Sequence, residues 1–276
     1  MSSAAMTAGT SHETEGAGRS VSSALQNLAY AVGPYAVLIA LWEGVRILIA
    51  AGPQAMPSMA SVAGAIVRVA KNGILPEYIS SSVLSILEAA AISIALGITL
   101  GIGIGMSETM ASYAVAVLRY FNSISGIAWL PLFLIWFGFN QFTVLATISY
   151  TFLFPVVFNT VTGVRTVPRV FRNAVLTMGG SWWDVITDVL LPGALPSILA
   201  GTRMGFGYGW RAVIAAEILV GTGGLGYMIF KAQAGNLTDR ILAGMVIIGV
   251  VWSLMDYFIL QPLEDATIKR WELIQR

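Results

Sequence analysis

Six long apolar stretches, each broken by few charges, constrain this chain more than any other feature. A helix rising about 1.5 Å per residue needs about 20 mostly apolar residues to cross a hydrocarbon layer about 30 Å thick. The stretches at 28–51, 83–106, 111–137, 142–163, 195–220 and 241–260 meet that length. Inside hydrocarbon every backbone N–H and C=O must be satisfied within the protein, which leaves helices or a closed barrel. The ten-residue alternation of barrel strands is absent, so an all-α integral membrane fold with about six transmembrane helices is expected. Composition supports this. Hydrophobic residues make up 57% and charged residues 11%, the latter less than half the ~25% usual in soluble chains.

Composition also excludes several kinds of chemistry. Fifteen basic against fourteen acidic residues leave a net charge of +1, too small a field for nucleic acid binding. With no cysteine there is no disulfide framework, thiolate metal site or thiol nucleophile. His12, the single histidine, lies in a Ser-, Gly- and Thr-rich segment, so no buried histidine centre or metal site is expected.

Residues 1–27 read as a disordered tail. They lack the basic start of a secretory signal, and the apolar run that follows is long enough to remain in the membrane as an anchor. Residues 28–262 form the membrane domain and 263–276 a second tail. An even number of spans puts both tails on one side, with Arg19, Arg165, Arg169, Arg172, Lys269, Arg270 and Arg276. The opposite side carries Arg68, Lys71, Lys231 and Arg240. Basic residues favour the cytoplasm, so both termini are expected there.

The connection 164–192 is long for a helical bundle, and its pattern is not random. Pro168 suits a helix start, and Phe171, Ala174, Val175 and Met178 recur at helical spacing. Gly179-Gly180 breaks that helix, and Ser181 with Asp184 forms a capping-box pattern that restarts one. Trp183, Ile186, Val189 and Leu190 mark the second helix, which Pro192 is expected to stop. Pattern alone leaves two readings open: an amphipathic element lying on lipid, or a docking knob for a soluble partner.

This segment resembles the cytoplasmic loop of ABC importer permeases, in which E-A-A is followed by three residues, Gly, nine residues, Ile, one residue and Leu-Pro. Asn173-Ala174-Val175 stands in place of E-A-A, and Gly179, Val189, Leu191 and Pro192 occupy the remaining positions. Ile127 through Leu132, Ile135 through Gly138, Leu191 through Ile198 running into Gly201-Thr202-Arg203, Ala215-Ala216-Glu217 and Gly224 through Tyr227 are similar to signatures of the nitrate/sulfonate/bicarbonate group, which includes taurine importers. The likeness covers about residues 80–260. It departs from the group at Ser85, where Arg is usual, and at Ser125 and Gly126, where prolines are usual.

The resemblance implies a type I importer permease fold and a non-enzymatic subunit in a bacterial plasma (inner) membrane, forming the pathway for a small anion: nitrate, a sulfonate such as taurine, bicarbonate or an aromatic carboxylate. Its implied partners are a second permease copy, two cytoplasmic ATPases that carry ATP and Mg, an extracytoplasmic substrate-binding protein and the lipid bilayer. Asn173, Ala174, Val175, Met178, Gly179, Gly180, Ser181, Trp182 and Trp183 would form the ATPase-coupling surface, and this chain itself would bind no cofactor.

Ionisable groups within spans cost about 2.5–3.5 kcal/mol each near the bilayer centre, so they are expected to avoid lipid. Arg203 and Arg211 either give a pathway positive potential for an anion, with Trp129 and Trp210 as walls, or pair between helices or snorkel to an interface. Glu217 pairs with one of them or shapes the outer gate. For Arg46 the neighbouring Glu43 is the favoured partner. Gly97, Gly101, Gly105 and Gly201, Gly205, Gly209 form rows that permit close helix packing. Gly221 through Gly226 fits G-x-G-x-x-G, but a membrane span precedes it where a dinucleotide site needs a strand. It reads better as an outer-face turn touching the binding protein. An ion-coupled secondary transporter is the alternative, but it leaves the loop without a motor. An intramembrane hydrolase has no positioned base.

Overall fold

The computed structural model describes residues 33, 34, 36–49, 52 and 54–262. The tails expected at 1–27 and 263–276, and part of the first expected span, lie outside the described residues. The chain divides into two compact units between Ala63 and Gly64. In the first, a helix over 36–48 (α1) holds the expected ion pair, with Arg46 Nε donating to Glu43 Oε2 at 2.6 Å. The same carboxylate accepts the Met59 amide at 2.7 Å, where α2 (Met59–Lys71) begins.

In the second unit the described segments are α3 (Leu75–Met106), α4 (Glu108–Ser123), a 3-10 turn at Gly126–Trp129 running into α5 (Leu130–Phe137), α6 (Gln141–Thr166), α7 (Arg169–Thr177), α8 (Trp182–Val220), α9 (Gly224–Ala234) and α10 (Thr238–Leu260). Helices α3, α6, α8 and α10 are each long and apolar enough to cross a bilayer. Helix α4 and the segment Gly126–Phe137 are apolar and long enough only together, and the bend of 77° between them makes the pair a broken span or a re-entrant loop.

The stretch expected as a span at 111–137 is therefore not one straight helix. The stretch is apolar on average, but it contains Asn122, Ser123, Ser125 and Gly126, and Ile124 and Ser125 are extended and interrupt the helix. At the end of α4 side chains supplement the backbone: the Phe121 carbonyl accepts the Ile124 amide at 3.2 Å and Tyr150 Oη at 2.7 Å, and Ser123 Oγ donates to the Tyr120 carbonyl at 2.7 Å.

A second correction concerns Pro192, which does not stop the loop's second helix. Helix α8 runs for 39 residues from Trp182 through Pro192 and Pro196. Proline cannot donate a ladder hydrogen bond and its ring crowds the carbonyl four residues back. Here a π-turn at Val185–Leu190 comes first, and the Leu191 amide already bonds to Ile186, five residues back. The missing donor therefore falls where the ladder has left its four-residue spacing.

Helix α6 is the centre of this unit, and both glycine rows face it. A Cβ at Gly97 would lie 2.7 Å from Val156 Cγ1, one at Gly101 would overlap Thr160, and one at Gly105 would lie 2.8 Å from Val164 Cγ1. From α8, a Cβ at Gly201 would lie 2.7 Å from the Pro155 carbonyl, and one at Gly205 would lie 2.6 Å from the Phe152 ring. Gly209 is looser, 3.1 Å from that ring. Around this axis Ile86, Leu130, Ile148, Phe152, Val213 and Leu225 are fully buried. A second apolar cluster of Ile102, Val164, Val185, Leu190, Ala194 and Ile198 lies beneath the 164–192 connection.

Candidate coupling loop and membrane pathway

The connection between α6 and α8 is held by local hydrogen bonds that its sequence dictates. Helix α7 ends in two reciprocal closures, Gly180 N to Val175 O at 2.9 Å and Gly179 N to Leu176 O at 3.2 Å, the pair that terminates a helix through a left-handed residue. Gly179 supplies that residue with φ of +88°. Gly180 is needed for a different reason, since a Cβ there would lie 2.6 Å from Val175 Cγ1. The next helix starts at once with a capping box: Ser181 N donates to Asp184 Oδ2 at 2.7 Å, and Asp184 N donates to Ser181 Oγ at 3.3 Å.

The two helices present an apolar surface outward. Met178 is 88% and Trp183 68% exposed, and Phe171 and Trp182 are more than half exposed. Asn173 and Ala174 lie on the same open side. Val175 and Leu176 turn inward and pack on the cluster under the loop. The spacing Phe171, Ala174, Val175, Met178 thus combines an outward face with one inward residue, and Leu176 is the inward partner it does not reveal.

Two links join this loop to the membrane segments. Arg169, the first residue of α7, forms an ion pair with Glu108, the first residue of α4. Helix α8 itself continues from the loop through the membrane without a break, about 58 Å at 1.5 Å per residue.

The candidate pathway residues fall in separate places. Arg203 pairs with Asp256 of α10, Nη2 to Oδ1 at 3.3 Å. Trp210 is buried in the core, its ring 6.0 Å from that of Trp252. Arg211 is exposed, with its guanidinium carbon 5.9 Å from the Tyr208 ring centroid. Trp129 sits in a ring cluster with Phe121, Phe133 and Tyr150 at the bend of the third span. Beside that cluster is a cavity of about 290 Å³ between the bend, α6 and α8. Ser125 and Gly126, which stand where the group usually has prolines, both line it.

Glu217 bonds to neither arginine. It is 2% exposed, and Ser82 Oγ lies 2.7 and 2.9 Å from its two carboxyl oxygens while the Gly226 amide donates to Oε2 at 2.9 Å. The Leu225 amide donates to Ser82 Oγ at 2.9 Å. This closed set joins α3, α8 and the start of α9. It also explains the glycines of the dinucleotide-like stretch. A Cβ at Gly224 would collide with the Glu217 carboxyl, and one at Gly226 would lie 2.5 Å from the Ile214 carbonyl. Ser82 is the partner that sequence reading missed. Among the described residues no group of three or more His, Cys, Asp or Glu is placed to hold a metal ion.

Among the described residues the chain is helical without strands, and several of its helices are long and apolar enough to cross a bilayer, which defines an integral membrane protein. The chain belongs to the family of binding-protein-dependent transport system inner membrane components, whose model matches residues 93–260. It is 30% identical over 236 residues to the taurine transport system permease protein of Escherichia coli (strain K12), covering 84% of this chain and 86% of that one. Against the bicarbonate transport system permease protein of Synechococcus elongatus the identity is 31% over 194 residues, covering 70% and 68%. Against the nitrate import permease protein of Synechocystis it is 31% over 171 residues, covering 62% and 61%. The chain is accordingly a membrane-integral permease subunit of an ABC importer, and not an enzyme.

Proposed function

We propose that two copies of this chain form the pathway of an importer for a small anion, of the kind the relatives' names record: taurine, bicarbonate or nitrate. An extracytoplasmic binding protein delivers the anion. Two ATPases, which carry the ATP and Mg, grip the 164–192 loop from the cytoplasm of a bacterium whose inner membrane holds the complex. In this arrangement 28–262 is the membrane domain with the 28–51 stretch as its first span, and the tails 1–27 and 263–276 are cytoplasmic. Closure of the ATPases on ATP moves the loop, and the packed helices switch between two arrangements.

The observation that carries this reading is the exposed surface of Phe171, Met178, Trp182 and Trp183 on a loop fixed by its own hydrogen bonds. Large apolar side chains held rigidly in the open suit a protein partner. The chain has no cysteine, so Met178→Cys gives a unique cross-linking site. A photoreactive probe there is expected to capture the ATPase subunits of the assembled complex. Capture of phospholipid alone refutes the assignment and favours a loop lying on the membrane.

A further inference from the structure

The cavity at the bend after α4 is lined by Asn122 from the last turn of α4, Ser125 from the break, Thr151 and Phe154 from α6, and Tyr208 from α8. Its polar groups divide into two sets. The Thr151 hydroxyl is committed to the Thr147 carbonyl at 2.9 Å, and the neighbouring Tyr150 hydroxyl to the Phe121 carbonyl, so these side chains act as walls. The Asn122 carboxamide and the Ser125 and Tyr208 hydroxyls make no hydrogen bond among the described residues, and Ser125 does not cap the helix it precedes. Three uncommitted polar side chains facing hydrocarbon would be costly. They are tolerable where the space before them holds water or a solute. A break in a membrane helix at such a place is a common way to build a solute site within the bilayer.

The character of the solute follows from the donors. No Asp, Glu, Lys or Arg lines the cavity, so nothing repels an anion and nothing holds one too tightly to leave. All three uncommitted groups offer an N–H or O–H. The Arg211 guanidinium lies against Tyr208 and forms no ion pair among the described residues, which adds positive potential at the cavity's edge. Gly126 lets the backbone close against Thr151, where a Cβ would collide with the Thr151 hydroxyl.

We propose that this cavity is a transit site for one oxyanion head group, held by hydrogen bonds from Asn122, Ser125 and Tyr208 and attracted by Arg211. The proposal rests on the importer reading and adds to it where the anion is held within the membrane.

The test uses the assembled complex in vesicles, with taurine, bicarbonate and nitrate as probes. Ser125→Cys introduces the chain's single thiol. It is expected to react with the anionic reagent 2-sulfonatoethyl methanethiosulfonate, and the transported probe is expected to slow that reaction severalfold. Asn122→Leu and Tyr208→Phe should each lower uptake about tenfold, one hydrogen bond's worth, and change the ratio of uptake between nitrate and taurine. A thiol at position 125 that does not react, or reacts at the same rate with and without the transported probe, overturns the site while leaving the importer reading standing. If the unmodified complex shows no ATP-dependent uptake of any probe, the anion-importer reading itself fails, and the site falls with it.

Discussion

At Glu217 the two carboxyl oxygens face Ser82 Oγ and the Gly226 amide, while the Ser82 oxygen takes the Leu225 amide in turn. Removing one member of a buried set leaves the others desolvated without partners, at a cost of about 1–3 kcal/mol. Ser82→Ala strips the carboxyl of its hydroxyl donor and orphans the Leu225 amide. It should therefore lower the thermal unfolding midpoint of the solubilised protein clearly. Ser80→Ala is the control, because that exposed hydroxyl bonds only to the Glu77 carbonyl one turn back. Equal midpoints for the two variants would mean the buried set contributes nothing. Only half of this set was legible in the sequence. Ala215-Ala216-Glu217 and the glycines after it stand out as a motif, but Ser82 lies 135 residues from Glu217, and no local pattern announces a partner at that distance.

Among the elements, α6 is clamped between α3 and α8 because glycines remove the side chains that would hold the backbones apart. In lipid there is no hydrophobic drive between helices, so such close approach supplies much of the association. The effect is specific to the packed face. Gly101→Ala puts a Cβ into Thr160, whereas Gly103→Ala, two residues on, meets nothing within 4 Å. Alanine is favoured over glycine in a helix by about 1 kcal/mol, so Gly103→Ala should be neutral or slightly stabilising. Overpacking at Gly101 should cost about 1–3 kcal/mol. Unfolding midpoints of the two single variants measure the difference, and a Gly101→Ala protein as stable as Gly103→Ala would contradict the clamp. The positions of these spans were readable from apolar length. Their interruptions were not. The break at Ile124 and Ser125 falls in the polar stretch Asn122 to Gly126, which the apolar residues around it outweigh over a span-length window, and the Phe121 carbonyl there accepts both the Ile124 amide and the Tyr150 hydroxyl. Pro192 misled for the opposite reason: a strong local signal was cancelled by the π-turn before it.

Across the molecule, α8 connects the exposed loop at one end with the Glu217 set at the other, and the angle at which it leaves the loop is set by four residues, Met178 to Ser181. This stretch was legible in advance because all its interactions are local: glycine closure and capping box each span a few residues. Gly179 is its most sensitive point. With φ of +88° and nothing within 4 Å of a built Cβ, a substitution meets no neighbour and acts through the backbone alone. A β-branched residue is strongly disfavoured there, by about 1–2 kcal/mol or more, while asparagine accepts the left-handed region comparatively well. Gly179→Val should therefore move the turn to another conformation and change the angle between α7 and α8. The membrane core lies elsewhere and should stay intact. The expected result is normal membrane insertion with ATP hydrolysis no longer stimulated by the loaded binding protein, and Gly179→Asn should restore most of that stimulation. The Asn variant separates loss of turn geometry from loss of a small side chain, since Asn is bulky but conformationally tolerant. Stimulation of the Gly179→Val complex at the unmodified level would show that the motor does not act through the direction this turn imposes on α8.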